Sequence, residues 1–254
     1  MENFNFNQVN LNEFSIYYQD NLNQEFSCFI SNLQSLNKDV IFANIKNDNY
    51  NVLSVAYNKD FTCEILKEYK KLISNIVKKY KLEYFKNNIK NLSLLGKMEN
   101  VFLKVLQFFD EESDVIEIDK FFELTGTLFI NEFYHFKLNN LRKKWNEICN
   151  LTNENNHFFE SDALTIELIK FLINNIKPKH SAVLIKKQGE KVIFENQNKQ
   201  LLATLNTVFL DEEFIIKIIE NYSSVIMIAD NVKLTETLKK QIKQMFSNQI
   251  KFLS

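Results

Sequence analysis

The apolar positions change character along the chain. In the first 60 residues, short β-like runs surround one helical stripe. Phe14 to Tyr18 (FSIYY) is aromatic and β-branched and predicts a strand. Between Leu22 and Leu36, the residues Phe26, Phe29, Ile30, Leu33 and Leu36 fall on one helix face. Asp39 to Ile45 and Asn51 to Tyr57 are two further strand-like runs. The KNDNY segment between them, rich in turn-tolerant Asn and Asp, predicts a hairpin. The pattern then turns helical. Ile65, Leu66, Tyr69, Leu72, Ile73, Ile76, Val77 and Tyr80 hold the α-helical period from 65 to 80. A second helix is expected over Glu99 to Phe109. A third is expected to begin near Asp119 and run, with a break at Gly126, through Trp145 and Ile148. Ser161 or Asp162 caps a fourth, Ala163 to Ile176, ended by Pro178. Its Leu164, Leu168, Phe171 and Leu172 line one side and Ile166, Ile169 and Ile173 another. A helix apolar on nearly all sides is expected at the centre of a core.

After residue 178 the period changes again. SAVLIKK and KVIFE flank Gln188-Gly189-Glu190 as a hairpin. Asp211 starts a helix that runs to Ile219, and Ser224 to Asp230 reads as a strand buried on both faces. Leu234, Leu238, Ile242, Met245 and Phe246 define a last helix, and IKFL a last strand. Strand, helix and strand predict a parallel βαβ unit. The fold class expected is therefore mixed α+β: a central helical bundle flanked by small N-terminal and C-terminal α/β sheets. The expected division is a small α/β unit over 1–60, a helical domain over 61–178 and a C-terminal α/β domain over 179–254.

Composition narrows the chemistry. With 3 Gly and 1 Pro in 254 residues, the chain has no glycine-rich phosphate loop. GxxxxGK[ST] and GxGxxG are both absent, which excludes the ordinary nucleotide motors and dinucleotide enzymes. The three cysteines, Cys28, Cys63 and Cys149, make no CxxC pair or zinc spacing, and are expected as reduced, mostly buried thiols. The first residues lack a signal-peptide pattern, and no apolar run reaches the length of a membrane span; a cytoplasmic protein is expected. Asn (35) and Lys (30) against a single Arg indicate A/T-rich codons.

His135, His157 and His180 are far apart and form no HxxxH or HExxH, so no metal or cofactor is expected. His157 and Glu160 stand three apart but read as surface residues. Asp110 to Asp119 alternates carboxylates as a calcium loop does. Val115 occupies the glycine position and Phe121 the closing glutamate position, so a solvated acidic loop is expected. No local catalytic signature is present, and no catalytic residue is assigned. Although the net charge is only −1, it is unevenly spread. Residues 62–105 carry +6, residues 106–135 carry −7, and residues 136–145 add four cations. One segment, Phe133 to Trp145, interleaves aromatics with Lys137, Arg142, Lys143 and Lys144. These four are the candidate contacts to an anion or partner, because stacking plus phosphate pairing is how nucleic acids are held. The competing reading puts Phe133, Phe136, Leu141, Trp145 and Ile148 in the core and leaves the cations as a wet face.

Two segments resemble a known family. Leu124 to Leu141 (LTGTLFINEFYHFKLNNL) is similar to the aromatic helix "EGFxxFRLKDY" of the YtxC-like sporulation proteins of endospore-forming Firmicutes. Phe133 and Phe136 match, while Lys137, Asn140 and Leu141 stand where those proteins have Arg, Asp and Tyr. The tail, SVIMIAD followed by ETLKKQIKQMFSNQIKF, resembles the closing "TIKxxFxxxV/I" pattern through Leu238, Ile242, Phe246 and Ile250. The resemblance spans about Ile65 to the C-terminus, and the composition fits a clostridial source. It implies a cytoplasmic sporulation-associated protein with no assigned reaction. The function expected is therefore non-enzymatic, through contacts with a protein partner. The alternatives are nucleic-acid association through 133–145, which is not favoured, or an enzyme whose site is assembled from residues remote in sequence.

Overall fold

The computed structural model describes residues 11–36, 40–47, 49–120 and 126–253. The protein is mixed α+β with two small mixed sheets. Its contacts divide the chain into two compact units, Met1–Tyr80 with Glu112–Lys144, and Lys81–Glu111 with Trp145–Ser254. The segments read from sequence follow one another along the chain, whereas these units interleave along it. The elements of the first half are β1 (Leu11–Tyr18), α1 (Asn23–Leu36), β2 (Val40–Lys46), β3 (Asn51–Asn58), α2 (Thr62–Asn88), α3 (Glu99–Phe108) and α4 (Glu111–Asp119). Those of the second half are β4 (Gly126–Phe129), a single turn α5 (Ile130–Glu132), α6 (Asn139–Glu154), α7 (Asp162–Asn174), β5 (His180–Gln188), β6 (Lys191–Asn196), β7 (Leu201–Asn206), α8 (Asp211–Glu220), β8 (Ser223–Ile228), α9 (Glu236–Phe246) and β9 (Ile250–Phe252).

In the first unit the sheet order is β2-β3-β1-β4. The first three strands are antiparallel, and β4 joins β1 in parallel. Side chains alternate across the pleat, so Phe14, Ile16 and Tyr18 share a buried face with Leu53, Val55 and Tyr57. Helix α1 closes on that face by stacking Phe26 on Tyr18, ring centroids 3.6 Å apart. Helix α2 adds Tyr69, 5.2 Å from Phe14. The expected helix over 65–80 is continuous and longer than its period indicated, because Phe85 and Ile89 prolong the buried stripe. Asn91 then turns the chain at φ 61°.

Two expectations fail in this unit. The acidic stretch read as a loop forms helix α4 from Glu111. Ile118 and Asp114 are buried on it, and its charges are neutralised locally, Asp119 by Lys70 at 2.8 Å and Glu117 by Lys120. The expected third helix is also absent over Gly126–Phe129, which is strand β4. Gly126 sits at φ +87° with open space where a Cβ would go, so backbone conformation rather than crowding stops a helix there. Thr127, Leu128 and Phe129 then take the register of Ser15, Ile16 and Tyr17.

The sheet of the second unit runs β7-β6-β5-β8-β9. The hairpin β5–β6 turns at Gly189, φ +59°, as its sequence predicts. Strand β7 has no counterpart in the sequence reading. Strands β8 and β9 are parallel and joined by α9, the expected βαβ. Strand β8 buries Ile226 and Ile228 but leaves Val225 and Met227 half-buried, so only one of its faces is fully covered. Helix α8 packs on β6 through Phe214 and Phe194, 5.9 Å between ring centroids, and on α3 through Lys104 and Glu220 at 2.7 Å. Burial acts against the Glu220 carboxylate, but Lys104 and Lys217 outweigh it and lower its pKa. Helix α7 begins as expected, with Ser161 Oγ accepting from the Leu164 amide at 3.3 Å. It is not central. Ile166, Ile169, Leu172 and Ile173 are buried, but Phe171 is 63% exposed and Leu164 39%.

The thiols differ from the expectation of burial, since Cys28 and Cys63 are exposed. Cys149 alone is buried, and burial pushes its pKa up to about 11. At about pH 8 a thiol reagent is expected to modify Cys28 and Cys63 promptly and Cys149 only after denaturation. Three equally fast thiols in an Ellman titration would show that α6 is not packed as described. Among the described residues no helix is long and apolar enough to cross a membrane.

Candidate partner-binding cleft

The residues flagged between Phe133 and Trp145 divide at a change of helical geometry. After the single turn α5, Phe133–Lys137 is one turn of π-helix, closed by the Leu138 amide donating to the Phe133 carbonyl at 3.2 Å. Such turns are over-represented at functional sites. The wider turn separates two aromatics that ordinary helical spacing would put on one face. Phe133 points inward at 9% exposure, while Phe136 is 77% exposed. The core reading of this segment therefore holds for Phe133, Leu141 and Trp145 and fails for Phe136.

Beside the π-turn lies a cleft of ≈ 560 Å³, within the first unit. Its described walls come from β1, α2, the end of α4 with Lys120, β4, α5 and the π-turn. Phe14, Tyr69, Ile73, Phe129 and Phe133 form the apolar part, and Glu132, Phe136 and Lys137 stand at the turn itself. Tyr69 is 5% exposed, and burial raises the pKa of its phenol well above the ordinary tyrosine value. The Ser15 hydroxyl lines the cleft and is bonded to Ser54 Oγ at 2.9 Å. The described lining holds no histidine or cysteine, and among the described residues no cluster of His, Cys, Asp or Glu could hold a metal ion. These walls can enclose an apolar group and meet a polar one at the rim, which is the usual composition of a binding site.

The four candidate cations have different surroundings. Lys137 lines the cleft. Arg142 is half-buried: its guanidinium lies 5.5 Å from the Tyr134 ring centroid and donates to the His135 carbonyl at 3.3 Å. Lys144 bonds Ser113 on α4, and its charge also helps to lower the pKa of Glu117. Lys143 is exposed. Arg142 thus braces the π-turn, and Lys144 ties α6 to the acidic helix. A duplex would meet a chain whose net charge is −1 and whose residues 106–135 carry eight acids, with Arg142 and Lys144 already engaged. Duplex DNA is accordingly expected to bind no tighter than about 10⁻⁴ M at ~150 mM salt. Micromolar affinity in a fluorescence-anisotropy titration, lost in R142A/K143A/K144A, would overturn that expectation.

Phe14, Tyr69 and Phe129 were not singled out from sequence. They come together only through the β1–β4 pairing and the packing of α2, and no local pattern encodes either. The signal that could have found the site was the run from Gly126 to Lys137, a positive-φ glycine followed by aromatics on no single helical face. Comparison with protein-family models, curated proteins and solved structures finds no match.

Proposed function

We propose that the chain acts by binding a partner protein, which inserts an apolar side chain into the cleft beside the π-turn. The observation that carries this reading is Phe136. A phenylalanine 77% exposed at the mouth of an aromatic-walled cleft leaves apolar surface in water unless something covers it. Aromatic anchors of this kind dominate protein interfaces. Glu132 and Lys137 supply polar groups of both signs at the rim. The role is contact rather than chemistry, in the cytoplasm. Its setting in sporulation rests on the resemblance of Phe133, Phe136 and the tail to the YtxC-like proteins.

The test is a photo-crosslinking phenylalanine analogue at position 136 of the full chain, irradiated in source cells entering sporulation. One discrete protein adduct is expected, absent when the analogue is placed at exposed Leu151 and absent when Thr127 is replaced by a bulky Trp. Adducts to nucleic acid alone, or the same pattern from both positions, would refute the reading. A chain made only during vegetative growth would remove the sporulation setting while leaving the cleft reading to stand on its adduct.

A further inference from the structure

Among the described residues strand β2 is an edge strand, since it stands first in the order β2-β3-β1-β4. Natural edges are usually blunted by proline, charge or shortness. This one has seven residues, VIFANIK, no proline, and a charge only at its end, Lys46. The ladder shows which backbone groups are open. The Asn47 amide donates to the Tyr50 carbonyl at 2.9 Å, in the same register that pairs Ile45 with Val52 and Ala43 with Ser54. Hydrogen-bonded pairs recur at every second residue of an antiparallel ladder. Ile41, Ala43 and Ile45 therefore bond to β3, and the N–H and C=O groups of Val40, Phe42, Asn44 and Lys46 point to the open side.

We propose that this open side pairs antiparallel with β2 of a second copy of this chain, about a two-fold axis at Ala43. The strand is self-complementary in that register. Phe42 meets Asn44 of the second copy and Val40 meets Lys46, so all four outward-pointing residues are used. Centring the axis on Phe42 or Asn44 instead leaves Lys46 or Val40 beyond the end of the partner strand. The charges agree as well: Lys46 faces a valine, and no like charges oppose each other across the axis. On the outer face Ile41, 67% exposed, meets Ile45 of the second copy, 59% exposed. Symmetry makes this contact twice. Two exposed isoleucines per chain are thereby shielded, and two four-stranded sheets become one of eight strands. A seven-residue edge is a small interface, so association at about 10 µM is expected rather than nanomolar binding.

The experiment is analytical ultracentrifugation of the full chain from ~1 to ~200 µM, a range that brackets that affinity. A monomer–dimer equilibrium is expected. I41K should weaken it at least about tenfold, since it sets a charge against an isoleucine, while I41K/I45E should restore it by setting opposite charges across the axis. Both positions are exposed, and circular dichroism should show an unchanged fold. L201K, on the exposed edge strand β7 of the other unit, should have no effect. In a C28S/C63S background, A43C should form a symmetric disulfide under mild oxidation. Ala43 faces its own copy as a non-hydrogen-bonded pair, with Cα atoms about 4.5 Å apart and within disulfide reach. S54C, one strand in from the edge, should not cross-link. A chain monomeric throughout the range, or a dimer that survives I41K or is lost in L201K, overturns the proposal.

Discussion

Replacing Trp145 by alanine is expected to lower the unfolding free energy by about 3–5 kcal/mol, the range for an aromatic truncated in a core. Trp145 is 1% exposed and belongs to a stripe on α6 with Leu141 and Cys149, both also at or below 1%. In the second unit its ring lies 5.8 Å from that of Tyr84 on α2. Alanine would remove the largest fully buried side chain of the described residues, and a rigid helix pair cannot close so large a void. W145F, which keeps a ring, should lose less than half as much. The measurement is urea unfolding followed by circular dichroism, because Trp145 is the chain's single tryptophan and its removal abolishes the usual fluorescence signal. A loss below about 1 kcal/mol in W145A would show that α6 does not bury this face.

On α7, I169A and F171A should differ sharply. Ile169 is fully buried and its truncation is expected to cost about 2–5 kcal/mol. Phe171, two residues on and 63% exposed, should cost under about 1 kcal/mol, as exposed positions do. The buried side of α7 packs on α9, whose Leu238, Ile242 and Met245 are at or below 1% exposure. Equal losses in the two variants, measured by the same urea titrations, would mean that both faces are covered.

Helix α7 also shows where sequence reasoning stops. Its composition declares two apolar faces, and nothing local says which one a neighbour will cover. Helices with one apolar stripe, such as α2 and α9, were legible because period alone assigns their buried side. The hairpins β2–β3 and β5–β6 were legible because their turn residues sit between strand-like runs. Strand β4 was not, since the four residues from Gly126 are too few to show a period and their partner β1 lies more than a hundred residues away. The acidic helix is not legible because two of the cations that meet it, Lys70 and Lys144, lie on other helices, and only Lys120 follows it in sequence. The cleft inherits both difficulties. Phe133 and Phe136 were visible as aromatics, but only the π-turn decides that one faces the core and the other solvent. The four cations are visible as a cluster in sequence, but not that Arg142 is held by Tyr134 and the His135 carbonyl and Lys144 by Ser113.

The interleaving of the two units fixes an order of events during synthesis. Every residue of the first unit has been made by the time Lys144 is added. Its sheet cannot be completed before β4 emerges, at Gly126–Phe129, so β1 must keep one edge open through the translation of Lys81–Glu111, which belongs to the other unit. The second unit has then received only that first segment, whose buried α3 face awaits α7 and α8. Chains fold from the N-terminus as they are made. A ribosome stalled shortly after Lys144 has emerged should therefore carry a closed first unit and an unsatisfied α3, and α3 is where a chaperone that reads exposed apolar surface should be found on the nascent chain.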